Sequence, residues 1–427
     1  MIRRLIVSLL VSLPVTLVWG QCPDALTVAK QIRAIKDGPL EAWQPACSRL
    51  KKQLEQCRAV RDSNYAEVLF LLGYTHSSAG DNQQASQLTR QSIQINSRKS
   101  SESAPAKRIQ AYYYLGNYLK ADNQPSQALD AYQRCITLGR NIPIHLTNVT
   151  RALVGQALVL YSQGDYEQAL GKAQQGYQLA RPQNDKLLLA ECTIEIARNQ
   201  VNLGNLAQAE TMARSAIELA KQDPYGADVE NVSRGILAII FRSQNRVAEA
   251  LHELEISALS YKKIGYVSQV AHTYNTIGDL YFRRKEFAKA LSYFELAYTN
   301  FQEKHNKAIS LDNMGGVYAA QKAYDKALRY FQQAYQLLPI AFANKDITKN
   351  PTAETIRLIT HEEILLSLVQ DKADTWLAYA KATMNQQYLR YALDTYQIAD
   401  AMVDIMRWQQ LGEKSKLLWR QKTRGRN

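Results

Sequence analysis

Cysteine is scarce in this chain, with five residues in 427, and histidine hardly less so, with six. No two of them stand at the spacing of a zinc-ligand pair, which argues against a zinc module. His76, His145, His252, His272, His305 and His361 are scattered over separate segments, as are Cys135 and Cys192, so no cysteine–histidine nucleophile pair is assembled. A glycine-rich phosphate loop is lacking, since Gly315-Gly316 falls inside a helical pattern. Paired carboxylates are lacking too, because Glu362-Glu363 belongs to a solvated helix face. Beyond residue 20 no apolar run is long enough to span a bilayer. No catalytic residue, cofactor or metal is therefore expected.

What is present is a folded, exported chain. Hydrophobic residues make up 46% and charged residues 21%, ordinary values for a packed protein. Residues 1–20 have a charged start (Arg3, Arg4), an apolar run from Leu5 to Trp19 and a small residue, Gly20, the make-up of a secretory signal peptide. Cleavage after Gly20, with Val18 at the −3 position, leaves Gln21 first. Gln21 is too large for the position before a lipidated cysteine, so Cys22 is not read as a lipid anchor. The expected location is periplasmic or extracellular, with no membrane span once the leader is removed. The net charge of +13 owes much to Lys414, Lys416, Arg420, Lys422, Arg424 and Arg426. This cluster reads as a solvated helix end and tail over 413–427, not a nucleic-acid patch, although a basic surface suits an acidic partner.

The rest is organised by repetition. Tyr274, Ile277, Gly278, Tyr281, Ala290 and Phe294 recur as Leu311, Met314, Gly315, Tyr318, Ala327 and Phe331, closed by Pro339. Gly278 and Gly315 let a second helix lie close, Ala290 and Ala327 do the same where it crosses, and Phe294 and Phe331 fill the gap beyond. Earlier units follow the same rhythm through Gly73 and Ala85, Gly116 and Ala128, Ala157 and Ala169, Ala197 and Ala209, and Ala238 and Ala250. The successive alanine spacings are 43, 41, 40, 41, 40 and 37, and turns recur inside every unit, which excludes a coiled coil.

This skeleton resembles the tetratricopeptide repeat (TPR), whose units are helix hairpins. The resemblance implies an all-α, right-handed superhelical solenoid in which no hairpin covers its own apolar face and neighbours must stack. The expected order is a capping helical pair over 21–62, about seven units over 63–339, a loop and interposed helix over 340–372, and an eighth unit over 373–412. In the first pair, Leu26, Ala29, Ile32 and Arg33 give one face, and a second helix runs from about Trp43 to Val60. Cys47 and Cys57 lie ten positions apart, too far along one helix to bridge, whereas an antiparallel pair puts Cys22 near Cys57. Cys135 and Cys192 read as buried small hydrophobes. After Pro339 a polar loop spans Asn344 to Pro351, and a long helix is expected from about Thr352.

In the TPR family the first helices of stacked units line a concave surface that holds an extended peptide. Projecting that face here selects Tyr74, Tyr113, Tyr114, Asn117, Tyr161, Arg198, Asn202, Arg242, Asn275, Asp279, Arg283 and Asn313 as the expected groove, with His272 beside Asn275. Aromatic rings with Asn and Arg donors suit a peptide backbone and acidic groups. The implied function is non-enzymatic protein or peptide binding. A second resemblance runs from Ala392-Leu393-Asp394-Thr395-Tyr396 to Ser415-Lys416-Leu417-Leu418-Trp419-Arg420-Gln421-Lys422-Thr423, similar to the end of the repeat region in bacterial CHAT-domain proteins. There a caspase-like peptidase follows, which implies an alternative role as the sensing or substrate-recruiting arm of such a peptidase. The sequence reaches Asn427 with no position onto which that family's catalytic residues map.

Overall fold

The computed structural model describes residues 22–57, 59, 62–98, 104–352, 355 and 362–409. The signal peptide, the basic tail and the Ser415–Thr423 part of the second resemblance lie outside the described residues. Among the described residues there are eighteen α-helices and no strand. They come in consecutive pairs: α1 (Ala25–Asp37) with α2 (Trp43–Gln56), α3 (Ser63–Ser78) with α4 (Asn82–Ser97), and α5 (Ala104–Ala121) with α6 (Pro125–Gly139). Next come α7 (Leu146–Ser162) and α8 (Tyr166–Ala180), α9 (Lys186–Asn202) and α10 (Leu206–Ala220), and α11 (Ala227–Ser243) and α12 (Val247–Lys263). The last pairs are α13 (Val267–Arg283) and α14 (Phe287–Asn300), α15 (Lys304–Ala320) and α16 (Tyr324–Leu337), and α17 (Glu362–Thr383) and α18 (Gln386–Gln409). The chain has an all-α superhelical repeat fold and divides into two compact units, Met1–Gln156 and Ala157–Asn427.

Every pair from α3/α4 onward closes by one device. The turn between its helices holds a residue in the left-handed region: Gly80, Asn123, Gly164, Gly204, Asn245, Lys285, Lys322 and Met384 from α3/α4 to α17/α18. That residue lets the next amide bond back to the last turn of the first helix, as in Asp81 N–H to His76 C=O at 2.9 Å and Glu286 N–H to Tyr281 C=O at 3.0 Å. Several second helices then open on an aspartate cap. Asp81 accepts from Gln84 N–H at 3.0 Å and Asp165 from Gln168 N–H at 3.3 Å.

Packing inside the pairs follows the glycines. A Cβ built on Gly278 would lie 2.5 Å from the Phe294 ring, and one on Gly315 would lie 2.5 Å from Phe331. In the first unit the same relation sets Gly116 against Tyr132 and Gly73 against Thr89, so the partner is always sixteen residues on. Ala85, Ala128, Ala169, Ala209, Ala250, Ala290 and Ala327 are all fully buried at the crossings. Gly316, in contrast, faces open space and packs against nothing.

The N-terminal pair differs in detail from expectation. Leu26, Ala29 and Arg33 are exposed, and the buried residues of the pair are Val28 and Ile32 on α1 and Cys47, Leu50 and Leu54 on α2. Helix α2 stops at Gln56 instead of near Val60, with Cys57 capping it. Cys57 is bonded to Cys22 across a Cα–Cα distance of 5.5 Å. Cys47, Cys135 and Cys192 are free and buried.

After α16, residues 341–352 form no helix, Thr355 is helical, and the next helix described at length is α17 from Glu362. The loop is tied down by Lys372 of α17, which is fully buried. Its ammonium donates to Gln332 Oε1 at 2.7 Å, Lys349 C=O at 2.8 Å and Asn350 Oδ1 at 2.9 Å, and lies 5.0 Å from the Tyr335 ring centre. Three acceptors match the three N–H bonds of an ammonium. Burial draws its pKa down to about 7, against the pull of Asp346.

Candidate functional site

Two positions along a first helix, three residues before the packing glycine and one after it, carry the side chains considered first. In the first unit these are Phe70 and Tyr74 around Gly73, and Tyr113 and Asn117 around Gly116. Tyr74, Tyr113, Tyr114 and Asn117 are all half-buried, and the structure brings them together. Tyr114 is the hub, with its ring centre 5.8 Å from Tyr74, 5.2 Å from Tyr113 and 5.4 Å from Phe70. Burial raises the pKa of its hydroxyl, so the group stays a neutral phenol. Asn117 accepts a hydrogen bond from Tyr132 Oη at 2.7 Å through Oδ1. Trp43, 5.8 Å from Tyr74, and Tyr118, 6.2 Å from Tyr114, extend the cluster. The sequence reading missed both, and Phe70 with them. The glycine offset was the signal for Phe70, whereas Trp43 belongs to another pair and no local spacing reveals it.

The second unit gathers the charged positions into two groups. In one, the Arg198 guanidinium lies 5.8 Å from the Tyr161 ring centre and 3.5 Å from Glu195, and Asn202 donates to Tyr161 Oη at 3.2 Å. In the other, Asp279 accepts from Arg283 Nε at 2.9 Å and lies 3.3 Å from Arg242 Nη1. Two arginines share one carboxylate, so this group carries a surplus positive charge. The Arg283 side chain keeps 63% of its exposure and that of Arg242 36%. Asn275 accepts from Ser310 Oγ at 3.2 Å, joining α13 to α15. Asn313 is half-buried on α15, but the residue in register with Asn275, three before the glycine, is Asp312, which is only 9% exposed. His272 sets its ring edge-on to Phe301 at 4.7 Å, and burial lowers its pKa against the opposing charge of Glu303.

These groups supply aromatic faces, hydrogen-bond donors and charge. Among the described residues no cluster of three His, Cys, Asp or Glu could hold a metal. Burial pushes the Cys47 thiol up to about 11 and the Cys135 thiol up to about 12, the opposite of what a nucleophile needs. Neutral tyrosines and hydrogen-bonded arginines on half-open helix faces offer ring faces and oriented donors.

Known proteins agree with this architecture. Residues 58–274 match the profile of the MalT-like TPR region, and residues 269–339 that of the tetratricopeptide repeat. No curated protein sequence matches the chain. Among solved structures it is similar to the Signal Transduction ATPase with Numerous Domains (STAND) protein with a tetratricopeptide repeat sensor, PH0952, from Pyrococcus horikoshii. Identity there is 16%, over 77% of this chain and 50% of that one, at a TM-score of 0.50. A tetratricopeptide repeat protein from Parabacteroides merdae is 16% identical over 71% of this chain and 98% of its own, with a TM-score of 0.45. The apo form of RapI is 14% identical over 64% and 97%, with a TM-score of 0.49. The first profile alone takes in more than half of the sequence, and the hairpins it describes are those of the structure, so the chain belongs to the family of MalT-like TPR regions.

Proposed function

We propose that this protein is a non-enzymatic scaffold that holds a segment of another protein against the first helices of its repeats. The observation that carries the reading is the Arg242–Asp279–Arg283 group, where two guanidiniums stand over one carboxylate on half-open helix faces. Such a group can lend a donor to an acidic side chain without stripping its own carboxylate of partners. Arg198, braced by Tyr161 and Glu195, adds a second cation of fixed orientation. The partner segment is therefore acidic where it meets this unit. Export is part of the same proposal: the Cys22–Cys57 bond supports it, since disulfides persist in oxidising compartments.

The test is titration of the full chain with a fluorescent Glu/Ser decapeptide, read by anisotropy, with a Gly/Ser decapeptide as control. Binding to the acidic peptide should weaken at least tenfold in the Arg242→Ala/Arg283→Ala double variant and with added salt, on the order expected when two charge-assisted bonds are lost. Equal binding by the double variant at all salt concentrations would show that this is the wrong surface.

A further inference from the structure

The first unit holds a different recognition chemistry. Trp43, Phe70, Tyr74, Tyr113, Tyr114 and Tyr118 form one continuous run of ring contacts over α2, α3 and α5. Tyr118 is the unusual member. It is 3% exposed, and its Oη is buried without a hydrogen-bond partner. Its ring centre lies 6.2 Å from that of Tyr114, so the unmatched hydroxyl is carried on a ring packed directly beneath the hub of the cluster. A buried hydroxyl left unmatched is costly, and it marks a place where an acceptor is missing. Asn117 adds to the imbalance, since Tyr132 occupies its carbonyl and leaves the amide N–H bonds to donate. The cradle thus offers flat ring faces and donors.

The complementary chain has apolar rings, free carbonyls and few N–H donors. A proline-rich segment meets all three demands, because prolyl nitrogen carries no hydrogen and the polyproline II backbone makes no internal hydrogen bonds. Its fixed φ also means that little freedom is lost on docking against aromatic rings. We infer that the ring cluster around Tyr114 is the docking site for a proline-rich segment of a partner protein. The prolyl rings pack on Tyr74, Tyr113 and Tyr114, and the carbonyls accept from Tyr118 Oη and Asn117 Nδ2. This rests on the proposed peptide-holding function but not on the arginine face.

The experiment is calorimetric titration of the full chain with blocked decaproline, a blocked Gly/Ser decapeptide and a glucose hexasaccharide. Decaproline alone should bind. Tyr118→Phe keeps the ring and the fold and should weaken decaproline about fivefold, the loss of one hydrogen bond. Tyr74→Ala/Tyr114→Ala should weaken it tenfold or more. Decaproline affinity unchanged in Tyr118→Phe, or equal binding of the Gly/Ser peptide, overturns the inference. So does binding of the hexasaccharide in place of decaproline, which would make the rings a sugar platform. If decaproline fails while the Glu/Ser peptide still depends on Arg242 and Arg283, this inference falls and the proposed function stands. If both peptides fail, both readings fall.

Discussion

Gly278 shows how much one residue can decide. Its missing Cβ is where the Phe294 ring sits, and the sixteen-residue offset recurs at Gly315, Gly116 and Gly73. A Gly278→Ala change puts a methyl 2.5 Å from that ring. The crowding should cost about 1–3 kcal/mol in chemical denaturation, partly recovered by adding Phe294→Leu. A loss below 0.5 kcal/mol would mean that the ring moves freely. Lys372 makes a second residue-level statement, about pH. Its folded pKa of about 7 lies below the value near 10.5 of the unfolded chain. The folded form therefore gives up this proton first, and the contribution to stability is complete above about pH 10.5 and is lost as pH falls toward 7. Melting temperatures of wild type should accordingly gain on those of Lys372→Met between pH 7 and pH 10. Parallel curves would remove Lys372 as the titrating group. The packing glycines were legible in the sequence because glycine and aromatic are joined by a single turn. Lys372 was not, because its acceptors come from α16 and from a loop without regular structure.

At the scale of elements, the turns carry the argument. The same left-handed position is filled by glycine at Gly80, Gly164 and Gly204 but by Lys285, Lys322 and Met384 later in the chain. A side chain there is strained, so Met384→Gly, which also removes a methionine that is 86% exposed, should stabilise the protein by about 1 kcal/mol in a urea melt. No gain would show that the turn relaxes around methionine. The α1/α2 pair depends on its covalent tie, and Cys22→Ser/Cys57→Ser should lower stability by about 2–4 kcal/mol where that pair unfolds with its neighbours. An unaltered melt would show that the pair is dispensable. Hairpins were readable from small residues and turn signals. The end of α2 was not, because a half-exposed helix end is set by what packs on it and not by its own pattern.

At the scale of the whole molecule, export has a direct readout. Protein recovered from the producing cells should begin at Gln21 and weigh two hydrogen atoms less than its fully reduced form, as read by intact mass spectrometry. A chain that retains Met1, or one with no disulfide, would end that proposal. The twelve residues chosen as groove candidates occupy first helices throughout, and ten of them fall into a tyrosine cluster in one unit and two arginine-centred groups in the other, whereas Asn275 pairs with Ser310 and Asn313 joins neither group. The sequence by itself determined the repeat, its period, the helices and the glycine–aromatic contacts, because each joins residues one hairpin apart. Only the tertiary structure decided that Trp43 reaches Tyr74, that Arg242 meets Asp279 and that Lys372 finds Gln332. Those meetings depend on the angle at which one hairpin stacks on the next, and that angle is a sum of many weak contacts that no single spacing records.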